Sequence, residues 1–152
     1  MADHADVAVF PPALVAGSAL LGFVLQKVAP NPVLPKRVRR GLGLALTASA
    51  FAVAFSAFHE LREAHTPFDV REPTTAVVTT GIYAYTRNPL YLAMMMLYLG
   101  IGSLRNSRWH WLLALPTTAA LQTAVIAREE VYLERKFGAE YLDYKVHVRR
   151  WI

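Results

Sequence analysis

Thr79-Thr80-Gly81-Ile82-Tyr83-Ala84-Tyr85-Thr86-Arg87-Asn88-Pro89-Leu90-Tyr91 leads into an uncharged run that ends at Leu104. A glycine, several hydroxyls, an Arg, an Asn and a Pro thus stand at the mouth of a hydrophobic helix. Pro89 suits the first helical turn, where a missing N–H costs little, and Asn88 suits the cap before it. Arg87 and Tyr85 then stand beside the unpaired N–H groups of a helix N-terminus, which favour anions. The same residues also describe a plain membrane-helix start, with interfacial tyrosines and an Arg reaching for the headgroups.

Downstream, Arg105-Asn106-Ser107-Arg108 is a tight polar turn, and Trp109 to Ala127 is a second uncharged run that opens on an aromatic belt. Pro116 is expected to kink it. The two runs read as a helical hairpin, with the first, Pro89 to Leu104, short for a full crossing. Upstream lies a long polar connection, Thr66 to Asn88. Pro67 and Pro73 exclude regular helix through much of it, and Thr74 to Thr80 suits an extended chain. Connections of this length tend to be functional.

Two further uncharged runs precede it, Val7 to Leu25 and Gly41 to Phe58. Pro30, Asn31, Pro32 and Pro35 separate them, and Lys36, Arg37, Arg39 and Arg40 form a basic cluster that suits a membrane surface. The second run is rich in Gly, Ala, Ser and Thr, which predicts close central packing in lipid. His59, Glu60, Arg62, Glu63 and His65 end it. With 55% apolar residues in 152, the chain reads as an all-α, multi-pass integral membrane protein of about four transmembrane helices. One domain, 1–152, is expected, with two N-terminal spans in 1–65 and a core in 66–152.

Arg128 opens a charged tail. Arg128 to Tyr144 reads as an amphipathic cytosolic helical segment broken near Gly138. Glu130 and Glu134, one turn apart, would repel if merely solvated. If the fourth span returns beside the third, the tail meets the Gly81–Tyr91 segment. Arg87 or Arg128 could then pair with a carboxylate, and Tyr83, Tyr85 or Tyr91 could face a cation. Glu129 or Glu130 could accept from hydroxyls or balance positive charge. Several ligands fit that inventory.

Several classes drop out. The chain has no Cys, so thiol catalysis, disulfides and thiolate metal sites are excluded. His59 and His65 lack a third ligand, and Met94-Met95-Met96 reads as soft packing, so no metal is expected. The net charge of +5 comes without a basic stripe interleaved with aromatics, so no nucleic acid partner is expected. The first six residues hold no Lys or Arg, so a cleavable signal peptide is not expected. Four spans put both termini and the long connection on one side. The distribution of Lys and Arg leans only slightly toward that side being cytoplasmic.

The motif Gly81-Ile82-Tyr83-(x)-Tyr85-(x)-Arg87-Asn88-Pro89-Leu90-Tyr91 is followed, after the hairpin, by a second. This runs Glu129-Glu130-(xx)-Leu133-(xxx)-Phe137-Gly138-(xx)-Tyr141-(xx)-Tyr144-(x)-Val146-(xx)-Arg149-Arg150. Together they resemble the isoprenylcysteine carboxyl methyltransferase and phospholipid methyltransferase superfamily, over about Thr66 to Ile152. The first two spans match only in being hydrophobic. The resemblance implies a membrane enzyme that binds S-adenosylmethionine between the last two spans and the tail and releases S-adenosylhomocysteine. The cofactor would enter from the cytosol, and a lipophilic acceptor from the bilayer. Arg87, Asn88, Pro89, Tyr91, Glu129 and Glu130 carry over by motif. Tyr83, Tyr85, Tyr141 and Tyr144 are further candidates for cofactor binding that suit a structural or interfacial place equally. Many members have His where Asn88 stands, and Asn cannot titrate, so Asn88 is assigned to binding.

The catalytic candidates are Arg128, Glu129 and Glu130. A carboxylate acceptor needs a cation, Arg128 first and Arg87 second. An amine or thiol acceptor needs a base, Glu129 or Glu130. Two alternatives share the pattern. The Arg-(x)-Pro-(x)-Tyr segment also resembles NADPH-dependent membrane sterol reductases, and a four-helix scaffold subunit would explain the spans alone. The acceptor and the oligomeric state are not written in the sequence.

Overall fold

The computed structural model describes residues 5, 7–69 and 71–152, and every regular element among them is helical. Apart from Ala5, the N-terminal hexapeptide on which the signal-peptide expectation rests lies outside the described residues.

Helix α1 covers Pro11–Val28 and α2 covers Lys36–Glu63. Both differ from the uncharged runs. α1 starts later than Val7, because Pro11 and Pro12 are tolerated only at a first turn, and it continues through Gln26 and Lys27. α2 extends past Gly41–Phe58 at both ends. Lys, Arg and Glu are good helix formers, so charge ends the apolar run without ending the helix. Helix α3 is Pro89–Leu104, as the sequence predicts. Its 16 residues make it shorter than the roughly 20 that a bilayer core asks for.

α4, Arg108–Leu121, passes through a π-helical turn at Gln122–Ile126 directly into α5, Ala127–Phe137. The expected boundary at Arg128 is therefore absent. The charged residues ride on an extension of the fourth span, and Arg108–Phe137 is one helix of 30 residues. At roughly 1.5 Å per residue that is about 45 Å, well beyond a hydrocarbon core of about 30 Å. Gly138, at φ 54°, ends it in a backbone region that suits glycine, and α6 follows at Ala139–His147. The predicted break near Gly138 is thus found. α1, α2 and the helix 108–137 are long and apolar enough to cross a membrane, and α3 is a shorter apolar helix.

α2 lies along α3, and α1 lies along α4. Only part of the small-residue content of α2 packs centrally. Gly43, Ala50 and Ala57 are buried, whereas Gly41, Ala45, Ala48 and Ala52 are exposed. A Cβ on Gly43 would come within 3.0 Å of the Gly100 carbonyl, so these two backbones touch where neither could carry a side chain. Polar groups between the helices find one another. Ser18 Oγ lies 2.6 Å from Thr117 Oγ1 and 3.1 Å from the Tyr98 hydroxyl. The Thr74–Thr80 stretch forms no strand and leads into a short 3-10 turn at Gly81–Ala84.

Candidate functional site

The start of α3 is fixed by the chain's own end. Arg87 N–H donates to the Arg149 carbonyl at 3.0 Å. Thr86 Oγ1 and Asn88 Nδ2 both donate to the Arg150 carbonyl, at 3.2 and 2.9 Å. Asn88 stands at the N-cap position, but its side chain caps nothing there. The amide reaches sideways to the tail, a correction to its expected role as a cap. Pro89 fills the first turn as predicted. Tyr144 donates its hydroxyl to the Tyr83 carbonyl at 2.7 Å, which ties α6 to the 3-10 turn. On the other side, Thr80 Oγ1 donates to the Glu60 carboxylate of α2. Gly81 has φ 56°, and a Cβ there would collide with that carboxylate.

Glu130 is the centre of the polar wall. It is 5% exposed. Its Oε1 accepts from Arg150 Nε at 2.9 Å and lies 3.0 Å from Arg87 Nη1. Its Oε2 accepts from Arg150 Nη2 at 2.6 Å, with Lys145 Nζ at 3.9 Å. Lys145 also pairs with Glu134. The repulsion expected between Glu130 and Glu134 is thus relieved by cations from beyond Gly138. Arg87 also approaches the Tyr141 hydroxyl at 3.4 Å, and its Nε is buried without a hydrogen-bond partner. Glu129 has different company: the Tyr91 hydroxyl donates to its Oε2 at 2.9 Å.

These groups line a cavity of about 290 Å³ at the end of the bundle where α2 finishes and α1 and α3 begin. Tyr83, Arg87, Asn88, Pro89, Tyr91, Glu129, Glu130, Tyr141 and Tyr144 all face it. Two candidates do not. Tyr85 is 74% exposed, and Arg128 is exposed on the outer side of α5. Burial pushes the Tyr141 phenol up to about 12 and raises Tyr83 and Tyr144 as well. All three stay neutral at physiological pH, as donors and aromatic faces. Asp69, at the rim, is held at about 2 by hydrogen bonds from Arg71.

The sequence reading did not single out the opposite wall. Phe10 just before α1 and Pro12 within it, Phe58 and Leu61 from α2, and Phe68 and Val77 from the long connection make it apolar. Nothing in an apolar residue at a span end distinguishes a cavity wall from a lipid contact. Arg150 and Lys145, the other partners of Glu130, were also missed. Their signal was the crowd of carboxylates at Glu129, Glu130 and Glu134, which needs cations nearby.

Residues 38–140 match the phospholipid methyltransferase family. The chain belongs to that family. The match begins in the first turn of α2 and ends in α6, so it takes in the second helix, which the motif resemblance had left aside. It stops just short of Tyr141 and Tyr144. A protein of Haemophilus influenzae (strain ATCC 51907 / DSM 11121 / KW20 / Rd), described as an uncharacterized protein, is 38% identical over 63 residues. That is 41% of this chain and the whole of the relative. No solved structure is a significant match. With its membrane-length helices, the chain is an integral membrane protein of a methyltransferase family.

Proposed function

We propose that the cavity binds S-adenosylmethionine and that the protein transfers its methyl group to an amine nitrogen of a lipophilic acceptor. The observation that carries this reading is the charge of the lining. Among the described residues that face the cavity, Arg87 is the one Lys or Arg, against Asp69, Glu129 and Glu130. Arg87 is already paired with Glu130, and Arg71 holds Asp69. Among the described residues, Glu129 is met by the Tyr91 hydroxyl and by no cation. Such a site suits a cation or an amine and offers no uncommitted cation to a carboxylate acceptor. Arg128, the first choice for that task from sequence, is not in the lining.

The donor set fits the cofactor. Arg87 Nε is a buried donor in need of an acceptor, as a ligand carboxylate or hydroxyl would be. Tyr83, Tyr91, Tyr141 and Tyr144 offer ring faces and hydroxyls to a cation and to polar edges. When bound, S-adenosylmethionine supplies an electrophilic methyl group and leaves as S-adenosylhomocysteine. The chain's own work is alignment and a suitable field. Glu130, held by three cationic side chains, fixes Arg87 and with it the start of α3. Glu129 is the carboxylate left to take the proton that an amine sheds. The apolar wall keeps water away and accepts the hydrocarbon of a lipid. S-adenosylmethionine is a cytosolic metabolite, so the cavity end is assigned to the cytoplasmic side.

The test is transfer of labelled methyl from S-adenosylmethionine into a lipid extract, with the labelled product identified. An N-methylated lipid is the expected result. A labelled ester would overturn the amine assignment and leave methyl transfer standing. A thermal shift with S-adenosylhomocysteine and none with NADPH is expected, and the reverse would favour a reductase.

A further inference from the structure

We propose that the end of the bundle opposite the cavity is a binding surface for anionic phospholipid headgroups. The eleven acidic residues of the chain are unevenly spread. None lies between Val7 and His59, and none between Pro73 and Arg128. The far ends of all four spans fall in those two intervals, so among the described residues that end of the molecule holds no acidic side chain. It does hold Lys27 at the end of α1, Lys36, Arg37 and Arg40 in the first turns of α2, and Arg105 and Arg108 in the α3–α4 turn. All six are exposed.

Hydrogen bonds bring these cations onto one surface. The α1–α2 loop and the α3–α4 turn are tied directly. Asn106 Oδ1 accepts from the Val33 and Leu34 N–H groups at 3.0 and 2.8 Å. Arg108 N–H donates to the Asn31 carbonyl at 3.0 Å. Arg39 Nη1 donates to the Leu104 carbonyl at 2.7 Å, which seats the first turn of α2 against the turn that carries Arg105 and Arg108. Trp109 Nε1 donates to the Ala29 carbonyl at 2.7 Å, an interfacial aromatic at the same level.

The cavity end is the contrast. There Glu130 pairs with Arg87 and Arg150, and Glu134 with Lys145. Among the described residues no carboxylate does this at the far end. Lys36, Arg37, Arg39 and Arg40 also oppose the dipole of α2, whose first turn holds no acidic residue. At the end of a membrane span a lipid phosphate is the anion within reach of these exposed cations, here in the leaflet away from the cytosol on the assignment of the cavity end above. This interaction is independent of the methyl acceptor, which the cavity would take at the opposite end.

The experiment compares the full-length protein in nanodiscs of phosphatidylcholine with and without a minority of phosphatidylglycerol. Lipid retained after detergent extraction is counted by native mass spectrometry. The wild type is expected to retain phosphatidylglycerol over phosphatidylcholine and to unfold at higher temperature in the anionic discs. Lys36→Gln/Arg37→Gln/Arg40→Gln/Arg108→Gln should cut the retained anionic lipid by about tenfold or more, since each basic group near a surface contributes on the order of a fivefold preference. Its unfolding temperature in pure phosphatidylcholine should match the wild type, which reports an intact fold. Arg62→Gln/Arg135→Gln, at the cavity end, should retain as much as the wild type. Equal retention of the two lipids by the wild type overturns the proposal. So does undiminished retention by the quadruple variant, or an equal loss from the cavity-end variant.

Discussion

Replacing Glu130 by Gln should loosen the cavity without unfolding the protein. The carboxylate gathers three contacts of 3.0 Å or less, from Arg87 Nη1, Arg150 Nε and Arg150 Nη2. A Gln amide offers one acceptor oxygen. Pointed toward Oε1, it keeps Arg87 and Arg150 Nε but sets its NH₂ against Arg150 Nη2. Pointed the other way, it leaves Arg87 facing a donor. The first orientation loses one charge-assisted contact and the second loses two, each worth roughly 1.5–3 kcal/mol. The Arg87 side chain is 8% exposed, so its charge loses a buried partner. Removing one member of a buried pair costs about 3–5 kcal/mol. Arg150 and Lys145, at 29% and 36% exposure, can turn to water and recover part of it. A net cost of about 3 kcal/mol follows, roughly a hundredfold in the population of the assembled site. Titration of the detergent-solubilised variant with S-adenosylhomocysteine should show affinity reduced by about ten- to a hundredfold, with helical content unchanged. Glu134→Gln is the control. It breaks a pair whose side chains are 32% and 36% exposed, and such pairs are worth about 0–1 kcal/mol. If the two variants bind alike, Glu130 does not organise the site.

Four other perturbations separate chemistry from architecture. Glu129→Gln should lower methyl transfer by roughly a hundredfold or more while S-adenosylhomocysteine affinity changes little, as expected for loss of a proton acceptor; equal losses in both would make Glu129 a binding group. Gly138→Ala meets no neighbour, so its cost should be the strained backbone alone, about 1–3 kcal/mol in denaturant unfolding. Gly81→Ala adds a collision with Glu60 to the same strain, and Glu60→Ala should relieve the collision and leave the strain, so the double variant should be more stable than Gly81→Ala. Deleting Thr123, an exposed residue of the π turn, should rotate α5 by about 100° and abolish cofactor binding while the spans survive in circular dichroism.

The spans and the meeting of the two motifs were legible because apolar runs, prolines and Gly138 act locally. The helix ends were less so. Composition marks where water begins, and a helix of Lys, Arg and Glu continues into water without a break, as α2 and α5 both do. The inward set was legible only in part. Residue type marked Tyr83 and Tyr85 alike as candidates, yet Tyr83 lines the cavity and Tyr85 faces outward. That difference comes from a 3-10 turn whose register no apolar period announces. Asn88 misled for a related reason. Its position is that of a cap, but the tail supplies a carbonyl that captures the amide first.

The assignment of Arg128 turned on helical phase, and the π turn explains it. Along the fourth span, Ala114, Thr117 and Leu121 are buried at the intervals of a regular helix. Carried on unbroken, that face would pass through Val125 and reach Arg128 and Glu129. The π turn at Gln122–Ile126 buries both Val125 and Ile126, and the inward face resumes one residue later, at Glu130. One added residue in the turn thus sends Arg128 to the outside and brings Glu130 to Arg87 and Arg150. π turns of this kind are frequent at functional sites. Here the turn lies directly before the two carboxylates on which the proposed chemistry depends. Gln122-Thr123-Ala124-Val125-Ile126 carries no proline or glycine to announce it. What selects it is the gain at the cavity end of the helix: a buried Glu130 with its cations, against an Arg128 that would otherwise meet Arg87 and Arg150 without that carboxylate between them.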